Sequence, residues 1–214
     1  MNILVIAAHP DDETLGMGAT IRKLSMKNIV NLCVITEGAT AQYEDKKMIE
    51  VRRNACLKSG KLLGISNFDF LDFPDMRLDS IPQLEINKKL EKIIRKYNPH
   101  TIYTTPPNDL NKDHQKTFES TLVATRPSSS NVKTILCYEV PSPVRYPFVP
   151  TIYETISKEI LSIKIKACKI YKTEIEEYPH PRSLKSITNL SIRRGVEAGI
   201  KYAEAFQLVR SISN

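Results

Sequence analysis

The sequence has no tryptophan, only four cysteines, and no apolar stretch approaching the roughly eighteen residues of a membrane-spanning helix. Glycine is scarce, with seven against thirteen prolines, which excludes collagen-like chains and Gly-rich linkers. The cysteines, Cys33, Cys56, Cys137 and Cys168, are widely spaced and form no CxxC pair. Neither a redox dithiol nor a cysteine-type zinc site is therefore expected. Their neighbours are apolar, and they read as small buried hydrophobes of a reducing compartment. The 31 Lys and Arg against 24 Asp and Glu leave a net charge of +7, which alone would suit a nucleic-acid binder. The distribution argues otherwise: the basic residues are scattered along helical stretches such as 88–96, alternating with Ile and Leu as on a solvated helix face. No zinc-finger spacing or aromatic-interleaved basic run exists, so no nucleic-acid partner is expected. The mild positive excess would instead steer an anionic ligand.

What is present is an ordinary globular composition, 41% hydrophobic and 26% charged over 214 residues. A chain of that length buries a sizeable core without disulfides or structural metals, so a metal would serve chemistry. The opening run Met1 to Ala8 is too short for a signal peptide and lacks a basic flank, and a cytoplasmic location is expected. Residues 3–8 are continuously apolar and read as a strand buried on both faces, and residues 29–36 read as a second buried strand. Further strands are expected at 68–71, 100–104 and 134–138. Helices are expected at 14–26, 46–63 (closed by Gly64), 84–97, 113–124, 157–172 and 184–205. Strand and helix alternate up to about residue 138. That order implies a Rossmann-like α/β fold: a mainly parallel sheet with helices on both faces, followed by a C-terminal helical and loop elaboration. One domain, 1–214, is expected.

In such sheets ligands bind at the carboxyl ends of the strands. Two loops there carry chemistry. The first is His9-Pro10-Asp11-Asp12-Glu13-Thr14, directly after the first strand. Gly16-Met17-Gly18 and Glu37 hint at a dinucleotide site, but three consecutive carboxylates would repel a pyrophosphate, and Ile21 stands where the third glycine belongs. Imidazole with carboxylate at a strand end suits a divalent cation instead. The second loop, Thr105 to His114, follows the fourth strand and opens a helix. If the two strands are neighbours, His114 enters the same crevice as His9 and Asp12. His100, at a strand start, reads as structural.

The stretch Ala8-His9-Pro10-Asp11-Asp12-Glu13-Thr14-Leu15-Gly16 resembles the signature of the zinc-dependent N-acetylglucosaminyl deacetylases, the LmbE-like or PIG-L family. Arg52-Arg53, residues 70–75, Asn108 to His114, His180-Pro181-Arg182-Ser183, Arg194-Gly195 and residues 202–206 resemble its later motifs. The resemblance implies that His9, Asp12 and His114 hold zinc and that Asp11 is the general base. Two imidazoles with one carboxylate would equally suit iron(II). It also implies removal of an acetyl group from an N-acetylated amino sugar or glycoconjugate, and a homo-oligomer such as a hexamer. Hydrolysis of a thiol-sugar conjugate or another non-sugar amide is the same-class alternative. A catalytically silent sugar-binding relative is the alternative from another class. One position departs from the pattern. Many members have a histidine three residues before the second metal histidine, where this chain has Asn111, which can donate to an oxyanion but cannot supply a proton. Proton delivery to the amine then falls to Asp11 or to His180. Arg52, Arg53, Asp75 and Arg145 are candidates for substrate contacts, and Asp113 for orienting a ligand or capping a helix.

Overall fold

The unbroken apolar run near the N-terminus lies in the middle of a seven-stranded sheet as β1 (Asn2–Ala7), flanked on both sides. The computed structural model describes residues 1–141 and 147–213. In chain order the remaining elements are α1 (Asp12–Ser25), β2 (Ile29–Thr36), α2 (Lys47–Leu63), β3 (Asn67–Phe73), α3 (Gln83–Tyr97), β4 (Thr101–Thr104), α4 (Lys112–Ala124), β5 (Thr134–Tyr138), β6 (Ile152–Thr155), α5 (Lys158–Cys168), α6 (Leu184–Glu197) and β7 (Ala203–Ser211). The sheet order is β3-β2-β1-β4-β5-β7-β6. β3, β2, β1, β4 and β5 run parallel, and β7 pairs antiparallel with β5 and β6.

Successive residues of a strand face opposite sides, and β1 divides its side chains accordingly. Val5 and Ala7 join a core with Met17 and Ile21 of α1, Cys56 and Leu63 of α2, and Ala167 of α5. Leu4 and Ile6 join the opposite core with Ile86, Leu90 and Ile94 of α3 and Ala124 of α4. Helices therefore cover both faces, which is why the interior of β1 and most of β2 are apolar without alternation. All four cysteines are free and buried, and burial raises each thiol well above its ordinary pKa.

The C-terminal region differs from the expectation of a helical and loop elaboration. The helix expected over 184–205 ends at Glu197, the turn passes through Gly199 (φ 70°), and Ala203 begins a nine-residue strand. Ala203-Glu204-Ala205 has helix-forming composition, but pairing with β5 on one side and β6 on the other overrides local propensity. No described helix is long and apolar enough to cross a membrane.

The connection from β1 crosses to β2 on one side, whereas its other neighbour is β4. That reversal opens a crevice beyond the carboxyl ends of β1 and β4. Both chemistry-bearing loops empty into it. Gly38, just after β2, has φ 65°, and a Cβ there would fall 2.3 Å from Cδ of Pro10, so only glycine lets the β2 loop close on the His9–Asp12 turn.

Candidate metal centre and catalytic carboxylate

The loop after β1 turns tightly: the Asp11 N–H donates to the His9 carbonyl at 2.9 Å, and Asp12 opens α1. This turn sends His9 and Asp12 back over the sheet edge, where His114 arrives from the first turn of α4. His9 Nδ1 and His114 Nε2 stand 3.3 Å apart. His9 Nδ1 is 3.3 Å from Asp12 Oδ2, and His114 Nε2 is 3.3 Å from Asp12 Oδ1. All three residues are buried, and Asp12 Oδ1 has no hydrogen-bond donor.

These donors fit a zinc-sized cation. Nitrogen and oxygen ligands at about 2.0–2.1 Å on a tetrahedral ion stand about 3.3–3.4 Å apart, which is the spacing between the two nitrogens and from each nitrogen to one of the two Asp12 oxygens. The outward nitrogens of both imidazoles face carboxylates, which can only accept: His9 Nε2 lies 3.2 Å from Asp113 Oδ2, and His114 Nδ1 lies 2.7 Å from Asp109 Oδ2. Protons on those outward atoms leave the inward nitrogens with lone pairs for a metal, the arrangement of carboxylate–histidine–metal sites. Without a cation the surrounding carboxylates draw protons instead. Burial alone would lower the His9 pKa, but Asp113, Asp12 and Asp75 outweigh it and hold it up at about 10. Burial likewise opposes charge on His114, and Asp12 and Asp109 outweigh it to give about 9. A second trio, His9, Asp75 and Asp113, also brings potential ligand atoms within 4.8 Å of one another. It shares His9 with the first, and its Asp113 carboxylate already accepts the N–H groups of Met76 (2.8 Å) and Leu78 (3.0 Å).

Asp11, next to Asp12 in sequence, is fully buried. Its Oδ2 is 3.2 Å from Arg52 and 3.5 Å from Arg182, whereas its Oδ1 has no hydrogen-bond partner among the described residues. Glu174 holds the two guanidiniums in place, at 2.9 Å from Arg52 and 2.9 Å from Arg182. One carboxylate oxygen is thus tethered by cations, and the other is free.

Arg52 is engaged inward on Asp11 and Glu174. Arg53 points away, pairing with Asp72 and lying 4.8 Å from the centre of the Phe70 ring. Asp75 is buried, with Oδ1 3.4 Å from His9 Nε2, and burial raises its pKa. Asn111 caps α4 by accepting the Asp113 N–H at 2.9 Å. Asp113 therefore is not the cap, and the imidazole it holds is that of His9 rather than His114. His180 is exposed, with Nδ1 accepting the Arg182 N–H at 3.1 Å, and it lines a cavity of about 280 Å³ with Gln42, Glu174 and Arg182. Arg145 lies outside the described residues.

Three contributors escape sequence reasoning. Asp109 sits in the quoted loop, five residues before His114, and could have been taken from that proximity. Arg182 lies in the His180-Pro181-Arg182 motif, where histidine drew the attention. Glu174 carries no local signal, because only the fold brings it to Arg52. Glu37, weighed as a ribose-binding acid, accepts the N–H groups of Ala39 (2.7 Å) and Asp75 (3.0 Å) and serves its own loop.

Against known proteins, the model of the PIG-L family (GlcNAc-PI de-N-acetylase) matches residues 4–125. The chain is also 31% identical over 186 residues to the uncharacterized deacetylase YaiS of Escherichia coli (strain K12), covering 80% of this chain and 90% of that protein. The chain belongs to the PIG-L family. It is 23% identical over 227 residues to the diacetylchitobiose deacetylase of Thermococcus kodakarensis, covering 98% of this chain and 84% of that one. The structure of the N,N'-diacetylchitobiose deacetylase from Pyrococcus horikoshii superposes with a TM-score of 0.81 at 23% identity, covering 98% and 84% of the two chains, and shows the shared fold. Membership in the PIG-L family makes the chain an enzyme of the deacetylase class, a hydrolase.

Proposed function

We propose that this PIG-L family member is a zinc-dependent hydrolase that removes the acetyl group from an N-acetylated amino sugar or glycoconjugate of the N-acetylglucosaminyl type. The observation that carries the reading is the convergence of His9 Nδ1, Asp12 and His114 Nε2 beside the unpartnered, buried Oδ1 of Asp11. His9, Asp12 and His114 would hold the zinc, which when bound would supply Lewis acidity toward an acyl carbonyl and lower the pKa of water toward neutrality. Iron(II) fits the same donor set.

The chain's own groups handle the protons. Arg52 and Arg182 keep Asp11 oriented by Oδ2, so Oδ1 takes a proton from the attacking water. Asp11 then returns that proton to the leaving nitrogen as the C–N bond breaks, so amide and water give amine and acetate. This assignment is favoured over His180, whose ring is exposed and whose Nδ1 already accepts a backbone N–H. His180 and Arg182 line one polar cavity, which supports a role for it in meeting sugar hydroxyls. The small-molecule substrate is thus the expected partner.

Acetate release from N-acetylglucosamine and diacetylchitobiose by zinc-loaded protein tests the reading. Release that a chelator stops and added zinc restores supports it. Sugar binding without release from either compound supports the silent-relative alternative and contradicts this proposal.

A further inference from the structure

The crevice continues past the metal-competent group. Beyond Asp109, the carboxylate that holds His114, a cavity of about 230 Å³ lies over the carboxyl ends of β4 and β5. Pro106, Val140, Pro141, Phe148 and Leu190 form its apolar wall. The two carboxylates that reach it are already engaged: Asp109 by His114, and Glu139 by Arg194 through both oxygens at 2.6 and 2.7 Å. The cavity bearing His180 and Glu174 differs in character, being lined by Gln42, Glu174, His180 and Arg182, and Pro141 borders both. The polar cavity suits sugar hydroxyls. Asn108, Ser186 and Gln207 also border the apolar cavity, but its Pro, Val, Phe and Leu wall offers no partner to most hydroxyls of a bare sugar, and an acetyl group is too small to fill it.

We propose that the apolar cavity is a substrate subsite for an apolar substituent, one aromatic ring or a short alkyl chain in size, carried close to the scissile amide. This rests on the deacetylase reading above and narrows its substrate class to amphiphilic amino sugars. The size fits, because an apolar cavity of about 150 Å³ holds a benzene ring. Two positions on the substrate can deliver such a group, the acyl carbon and the anomeric carbon.

The test compares methyl N-acetylglucosaminide with two ring-bearing relatives: phenyl N-acetylglucosaminide, and methyl glucosaminide carrying an N-benzoyl group. Affinity is measured by calorimetry on metal-free protein, and kcat/KM on zinc-loaded protein. At least tenfold tighter binding of one ring-bearing compound is expected, and which one gains identifies the acyl or the anomeric position. Leu190→Gln and Phe148→Ala, on separate segments, each reduce that gain below threefold. No gain in either compound, with acetate still released from the methyl glycoside, overturns the subsite and leaves the deacetylase reading standing. A gain that both variants leave intact also overturns it. Ring-dependent binding that the variants remove, without turnover of any compound, keeps the subsite and sinks the deacetylase reading. Absence of both ring-dependent binding and turnover sinks the two together.

Discussion

Nδ1 of His9 and Nε2 of His114, 105 residues apart in sequence, stand 3.3 Å from each other in the crevice between β1 and β4. Two buried imidazoles at that distance repel when both are protonated, and a metal ion that replaces their inward protons would be shared by the two lone pairs instead. The carboxylates behind them make the same point. Asp113 and Asp109 fix the rings with their lone pairs inward, so Asp113→Ala and Asp109→Ala are each expected to weaken zinc affinity by about 10–100-fold. Competition against a chelating dye measures this. Unchanged affinity in both variants would contradict the assigned roles.

Protons and metal compete for the same nitrogens. Both imidazoles have folded pKa values above the ordinary 6.5, about 10 for His9 and about 9 for His114. The stability their protons contribute to the metal-free fold is fully present below about 6.5 and is lost as pH rises through 9 and 10. Zinc uptake near pH 7 therefore releases protons, and affinity rises between pH 6 and 8. Calorimetry in buffers of different ionisation enthalpy counts those protons. Uptake without release would show that the imidazoles are already neutral.

Glu13 gives a separate pH signature. It is fully buried, with Oε1 accepting from Thr14 (2.7 Å) and Tyr171 (2.8 Å) and Oε2 unpartnered. Burial raises its pKa to about 7, against the hydrogen bonds that lower it. A raised carboxyl pKa means the fold holds the proton more tightly than the unfolded chain does, so stability falls as pH rises from about 4.5 through 7. Glu13→Gln is expected to remove roughly 1–3 kcal/mol of the loss between pH 5 and 8, read from urea titrations at both values. Identical pH dependence in variant and parent would contradict this.

A buried ion pair ties α5 to β7. Lys164 Nζ lies 2.6 Å from Glu204 Oε1, and the carboxylate also accepts the N–H groups of Ala19 (3.1 Å) and Thr20 (2.7 Å), where α1 restarts after its break at Met17. Glu204→Ala strands the ammonium and is expected to cost about 3–5 kcal/mol, with Glu204→Gln milder. Equal small losses in both would show that Lys164 finds another partner.

Asp11 carries the catalytic prediction. Asp11→Asn keeps the shape and the zinc but removes the proton acceptor, and kcat is expected to fall about 10²–10⁴-fold with metal content unchanged. Loss of zinc in that variant would instead make Asp11 a ligand.

Much of this was legible from local signals. The apolar runs of β1 and β2, Gly64 closing α2, and the two loops at strand ends follow from residues close in sequence. His9, Asp12 and His114 are brought together because β1 and β4 are neighbours, as the alternating pattern implied. β7 was not legible, because Ala203-Glu204-Ala205 favours helix until β5 and β6 pair with it. Glu174 was hidden for a related reason: an acid in a loop acquires its role only when Arg52, more than a hundred residues earlier, is buried against it.

An anomalous difference map at the zinc edge, from crystals equilibrated with zinc, tests the central claim most directly. The account predicts one strong peak bonded to His9 Nδ1, Asp12 and His114 Nε2, with Asp11 beside it and unbound. A peak on the opposite face of His9, between Nε2, Asp75 and Asp113, or no peak near His114, would contradict it.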